Sequence, residues 1–231
     1  MTSFSGKVIS FNRQLNFSGK LPEGIRIMNP FRENKGILNL SSRFYRKYYS
    51  DPGSRHLILG INPGRFGAGL TGIPFTDPKR LVEKCGIRFD GPAAHEPSSV
   101  FIYEMIDAFG GAGAFYRKFY IHSVCPLGFT QSVKGGKEVN HNYYDSRELT
   151  EAVYPFILDN IQKQIGLGVE TDVCFCFGTG KNERFLRRVN EEKNFFKEII
   201  ALEHPRYIMQ YKSKSRQAYL DKYLSAFGRV L

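Results

Sequence analysis

Several things are scarce in this sequence, and each scarcity closes off a class of protein. Only four cysteines, Cys85, Cys125, Cys174 and Cys176, occur in 231 residues, too few for a disulfide scaffold. No stretch approaches the ~18 consecutive apolar residues of a membrane span. Met1–Phe11 has no apolar region of the kind that marks a signal peptide. Acidic residues are short as well, with 22 Asp and Glu against 33 Lys and Arg, so the formal charge is +11. What is abundant is apolar and aromatic: 42% hydrophobic residues with 20 Phe and 13 Tyr. That is enough to bury a real core and excludes a disordered chain. With ~100–200 residues per domain as the guide, the expectation is one soluble, intracellular (cytoplasmic), basic globular domain over residues 1–231.

The excess of cations narrows the partners. A pI near 9.5 places a positive field on the surface, and polyanions are the usual partner of such a field. The charge is also clustered. Pro205–Leu220 carries Arg206, Lys212, Lys214 and Arg216 and no acid, with Tyr207, Tyr211 and Tyr219 interleaved. A second cluster holds Lys181, Arg184, Arg187 and Arg188. Such clusters neutralise phosphates without reading sequence.

Four short apolar runs each stop at glycine, proline or a polar turn: His56–Gly60, Phe119–Val124, Val173–Phe177 and Glu198–Leu202. With helical stretches between them they predict an α/β fold around a four-stranded parallel sheet buried on both faces. One helix opens at Asp145, with Glu148 three residues on, and carries Leu149, Val153, Phe156, Ile157, Ile161 and Ile165 at helical spacing, Pro155 kinking it or marking an irregular first turn. Others span about 98–110, 182–197 and 215–227, and 38–49 has a helix-like aromatic pattern. In open sheets of this kind ligands bind beyond the carboxyl ends of the strands. There the sequence places Asn62-Pro63-Gly64, Ser123-Val124-Cys125-Pro126, Gly178-Thr179-Gly180-Lys181 and His204-Pro205-Arg206.

Two motifs look familiar and fail. Gly67-Ala68-Gly69-Leu70-Thr71-Gly72 matches G-x-G-x-x-G, but Pro74 and Pro78 follow too soon for a helix to open in register with a pyrophosphate. Gly178-Thr179-Gly180-Lys181 resembles the end of a phosphate loop, yet Phe175 and Asn182 stand where glycine and a hydroxyl are required. Cys174 and Cys176 alternate along a strand with no zinc spacing and read as small buried apolar residues. No metal site is expected.

The remaining signal is Gly60-Ile61-Asn62-Pro63-Gly64-Arg65-Phe66-Gly67, running on to Thr71-Gly72-Ile73-Pro74-Phe75. It resembles motif 1 of the uracil-DNA glycosylase superfamily. His204-Pro205-Arg206 resembles motif 2, and His122-Ser123-Val124-Cys125-Pro126-Leu127 resembles the middle motif of the single-strand-selective monofunctional branch. The three lie in the family's order between about residues 56 and 216, and the nearest likeness is to a divergent bacterial branch of that type. The resemblance implies a three-layer α/β/α domain that extrudes a damaged base from DNA and hydrolyses its N-glycosidic bond. It implies a monofunctional enzyme acting as a monomer at the nucleoid, with no cofactor, no membrane and no obligatory protein partner.

By the same resemblance, Asn62 positions the hydrolytic water and His204 donates to the base oxygen that gains charge. Phe75 stacks on the base, and Ile61, Gly64, Phe66, Ser123 and Asn142 complete the pocket. Gly64 and Gly67 let the backbone approach the ligand. The segment Arg206-Tyr207-Ile208-Met209-Gln210, read as a loop, corresponds to the family's duplex wedge, and Lys181, Lys212 and Lys214 are expected on phosphates. The family's middle motif has asparagine where Ser123 stands. A hydroxyl there predicts a roomier pocket, open to xanthine or hypoxanthine as well as uracil, with Asn140 or Asn142 as a source of the missing amide. Two other readings stay open: an inactive nucleic-acid-binding protein on this fold, and a hydrolase of free nucleosides or nucleotides.

Overall fold

The computed structural model describes residues 3–133 and 135–231. Helix α1 (Phe4–Gln14) is capped by Ser3, whose hydroxyl accepts the Gly6 N–H. Strand β1 (Ile25–Met28) and the short α2 (Pro30–Glu33) lead into α3 (Lys35–Tyr48), with Asn29 and Asn34 as the two caps. Strand β2 (Arg55–Gly60) enters the motif-1 loop, which holds a single turn, α4 (Ala68–Thr71), and then α5 (Pro78–Glu83). The segment 67–72 therefore does begin one helical turn, which ends at once in Gly72 at φ 69°. Helices α6 (Pro97–Ala108) and α7 (Ala112–Lys118) follow. Next come strands β3 (Phe119–Ser123), β4 (Gly128–Val133) and β5 (Lys137–His141). The chain continues through α8 (Arg147–Ile165), β6 (Val169–Phe177), α9 (Lys181–Lys193) and β7 (Glu198–Leu202). It closes with α10 (Pro205–Tyr211) and α11 (Arg216–Gly228).

The central sheet is parallel, in the order β3-β2-β6-β7. Its strands are apolar on both faces because helices cover both. Phe119, Phe175 and Phe177 meet Phe227 and Tyr223 of α11, with Phe119–Phe227 centroids 4.7 Å apart. On the opposite face Tyr120 and His122 meet Phe4 and Phe11 of α1. Each fully buried Phe contributes roughly 1.5–3 kcal/mol by transfer from water. The four cysteines are buried and free within this core. No described helix is long and apolar enough to cross a membrane.

Several local expectations are corrected. A second sheet, antiparallel β1-β4-β5, was invisible in the pattern because its strands are short and half exposed. The cap of α8 is Ser146, whose hydroxyl accepts the Leu149 N–H; Asp145 instead accepts the Asn142 N–H. Pro155 lies in the middle of α8, which runs through it to Ile165. Residues 205–211 form a helix rather than a loop, because Pro205 at its first position needs no N–H partner and His204 caps it.

Candidate active site

The carboxyl ends of β2, β3 and β7 converge on a cavity of about 130 Å³. Parallel pairing sets Gly60 beside Ser123, so the turns that follow them open on the same side. Of the residues singled out in the sequence, Ile61, Asn62, Gly64, Phe75, Ser123, Asn142 and His204 line this cavity. Asn140, Ser98, Glu96 and Arg206 line it too.

The amide of Asn62 is held at both ends. Its Oδ1 accepts the Tyr143 N–H at 3.1 Å, and its Nδ2 donates to the carbonyls of His141 (3.3 Å) and Pro63 (3.4 Å). Those partners fix which end is oxygen, and Oδ1 keeps a second lone pair for the cavity. Apart from the adjacent Pro63 carbonyl, the orienting groups come from the end of β5 and the turn after it, about eighty residues away, and are backbone atoms that no side-chain motif could reveal.

His204 is held in a similar way. Its Nδ1 accepts the Arg206 N–H at 3.1 Å, which leaves the ring proton on Nε2. Burial, reinforced by the Arg206 charge, pushes its pKa down to about 4. The ring is therefore a neutral donor at physiological pH. Phe75 lies 5.5 Å from it, centroid to centroid, at φ 53°, a conformation a bulky L-residue rarely adopts. Such strain collects at ligand sites, where the surroundings over-determine it. Gly60 is required by the same ring, since a Cβ there would lie 2.8 Å from Phe75 Cε2.

Some expected residues lie elsewhere. Phe66 is 52% exposed and lies outside the base cavity, on a neighbouring groove with Arg65, Met209 and Gln210. Ile208 is fully buried, because the helical turn aims it at the core, so it belongs to the core and does not face DNA. Gly64 and Gly67 make room for a protein group: Glu96 Oε1 lies 3.1 Å from where a Gly64 Cβ would stand, and a Gly67 Cβ would overlap the same carboxyl. Arg206, Tyr207, Gln210, Lys212 and Lys214 are exposed and Met209 is half-buried. Lys181 lines a separate depression with Tyr144, Arg184 and Arg188. His122, the other motif histidine, is a core residue whose Nδ1 has no partner. Among the described residues no group of three or more His, Cys, Asp or Glu could hold a metal ion.

The model of the uracil DNA glycosylase superfamily matches residues 47–228. The chain belongs to that superfamily. It is also 63% identical to a protein whose crystal structure is described as wild-type Pedobacter heparinus SMUG2, over 99% of this chain and 98% of that one, with a TM-score of 0.97. A comparison with curated proteins finds no match. The glycosylase fold places two neutral polar side chains, one amide and one imidazole, on a cavity beside a strained aromatic ring. An amide has no useful basicity near neutrality and acts by orientation. The imidazole, pre-aimed and uncharged, can stabilise developing negative charge.

The residue that sequence reasoning missed is Glu96. It precedes α6 as its cap, yet its side chain caps nothing; its backbone N–H goes to Asp77 Oδ2 at 2.8 Å and its carboxyl turns into the cavity. Burial, and then the neighbouring Asp77 carboxylate, push it up to about 7, with Arg206 opposing. His95-Glu96-Pro97 carries no sequence signal beyond a polar lead into a helix.

Proposed function

We propose that this glycosylase excises uracil from DNA by hydrolysis, and that its pocket also admits the deaminated purines xanthine and hypoxanthine. The observation that carries the reading is the joint placement of the doubly held Asn62 amide and the Nε2-protonated His204 ring on one cavity. In this reading Asn62 Oδ1 holds a water against C1′ of the flipped nucleotide. The bond between C1′ and the base nitrogen breaks, and the electron pair leaves with the base. The water oxygen bonds to C1′ and its proton passes to solvent, which in turn reprotonates the base anion, so that an abasic site and the neutral free base remain. His204 Nε2–H donates to the base oxygen on which the negative charge accumulates, and Phe75 stacks on the ring. The enzyme is monofunctional in this scheme, since no step requires a lysine imine.

The surface around the cavity supports a DNA substrate. Tyr207 and Tyr211 project from α10 with their rings 5.6 Å apart and 42% and 66% exposed, and with Gln210 they are the side chains available to wedge between bases. Lys181, Lys212 and Lys214 take phosphates in this arrangement. The wider base choice rests on Ser123, whose hydroxyl makes no hydrogen bond among the described residues and which lines the cavity where the family's middle motif has an amide.

Base release from oligonucleotides carrying one uracil, xanthine or hypoxanthine, single- and double-stranded, tests the reading. Abasic sites formed by the wild type and lost in Asn62→Ala and His204→Ala are expected. Oligonucleotides bound but left intact would overturn it. Rapid uracil release with both purines untouched would remove the wider base choice alone.

A further inference from the structure

We propose that Glu96 is a specificity-determining residue of this site, its carboxyl reading the polar edge of the extruded base together with the Asn140 amide. The inference rests on the glycosylase reading and deepens it. Three observations carry it. The carboxyl lines the same cavity as Asn62, Ser123 and His204. Gly64 and Gly67 of the motif-1 loop are both bare where that carboxyl lies. And neither carboxyl oxygen has a hydrogen-bond partner among the described residues, while the neighbouring Asp77 is fully engaged: it accepts from the Glu96 N–H, from Ser99 Oγ (2.7 Å) and from the Arg80 N–H (2.8 Å). Half-buried on the cavity wall and bonded to no described residue, the carboxyl is available to a ligand in the cavity.

Asn140 stands on the same spot. Its Oδ1 accepts the Arg65 N–H at 3.2 Å, while its Nδ2, with no acceptor among the described residues, lies 3.6 Å from the Cβ position of Gly64, where Glu96 Oε1 is at 3.1 Å. A carboxylic acid and an amide side by side offer the donors and the acceptor that a lactam edge, an N–H beside a C=O, requires. Uracil, xanthine and hypoxanthine all present such an edge. The protonated carboxyl then does what an amide at Ser123 would have done, whereas the carboxylate would repel the base carbonyl.

The charged and titratable groups facing Glu96 come from four elements. Asp77, ahead of α5, disfavours its ionisation, and Arg206 of α10 favours it. His204 shares the cavity. Arg65, His95 and Lys137 line the adjoining groove. Burial and Asp77 prevail, and the carboxyl loses its proton only around neutrality.

The test is binding rather than turnover. Dissociation constants would be measured from pH 6.5 to 8.5 for two single-stranded oligonucleotides, one with a single slowly cleaved 2′-fluoro-2′-deoxyuridine and one undamaged. Their ratio removes the pH dependence of backbone contacts. In the wild type the preference for the uracil oligonucleotide is expected to fall about tenfold or more across that range. In Glu96→Gln, which keeps a donor at every pH, it is expected to change less than twofold. Parallel profiles in the two proteins would overturn the assignment of Glu96 while leaving the glycosylase reading intact. No preference for the uracil oligonucleotide in either protein at any pH would bring down both.

Discussion

The parallel sheet β3-β2-β6-β7 and the antiparallel sheet β1-β4-β5 both reach the cavity, but they bring different things to it. The parallel sheet presents Asn62, Ser123 and His204 just where its strands end, each at a position set by register. The antiparallel sheet presents Asn140 and, at the end of β5 and just beyond it, the His141 carbonyl and the Tyr143 N–H that clamp Asn62. β5 and the far half of β4 are exposed or half exposed, whereas β2, β3 and the end of β6 that leads to the cavity are buried on both sides. One sheet thus carries the proposed reacting groups at its strand ends. The other is a lighter arm that orients one of them and walls the pocket. Chemistry and aim come from different parts of the fold.

That division can be broken from the parallel side first. Asn62→Ala removes the water-holding oxygen itself, and base release is expected to fall on the order of 10³-fold or more, since orientation is all the amide supplies. A single-turnover assay measures it, and a loss under tenfold would mean the water is held elsewhere. His204→Ala comes next, with an expected loss on the order of 10²–10³-fold for one donor aimed at developing charge. Because His204 stays neutral down to about pH 4, wild-type release should show no acid limb from this group between pH 7 and 5. A limb near pH 6.5 that disappears in His204→Gln would contradict the neutral-donor role.

Stability sharpens the comparison further. Burial pushes the core His122 down to about 4 as well. Its folded state therefore holds fewer protons than the unfolded chain, whose imidazole titrates near 6.5, and stability is lost as pH falls from 6.5 towards 4. The loss amounts to up to ~3 kcal/mol. Melting temperatures at pH 7 and 4.5 should lie closer together in His122→Leu than in the wild type; an unchanged gap would place the acid lability elsewhere. Glu96 has the opposite sign. Its folded state holds more protons between 4.5 and about 7, so its contribution declines as pH rises through that window.

The smallest effect belongs to the clamp's support. Tyr143 is fully buried and its hydroxyl donates to Asn182 Oδ1 at 2.7 Å. Tyr143→Phe leaves that acceptor unmatched, costing about 1–2 kcal/mol and lowering the melting temperature by roughly 2–8 °C. The backbone N–H that holds Asn62 is retained, so base release should change by less than threefold. A loss approaching that of Asn62→Ala would show that the side chain, too, aims the amide.

The parallel sheet was legible because its strands are continuous apolar runs that stop at turn residues, and burial on both faces demands that pattern. The motif positions Asn62, Ser123 and His204 followed from being at those stops. The antiparallel sheet was not legible: Ile25–Met28 and Lys137–His141 are short, mixed in polarity and half exposed, and such segments carry no period strong enough to read. The expected wedge loop became α10 because one proline and one capping histidine were enough to start a helix. That helix in turn removed Ile208 from the surface.

The sequence by itself thus determined the fold class, the strand ends at which the cavity opens and the candidate residues placed there, since these depend on local pattern and on residue type. Only the tertiary structure decided how those groups are aimed. The tautomer of His204, the orientation of Asn62 and the presence of Glu96 over Gly64 and Gly67 all depend on partners that folding brings together. The partners of His204 and Asn62 are backbone atoms, identical at nearly every position in any sequence, so only their place in space distinguishes them.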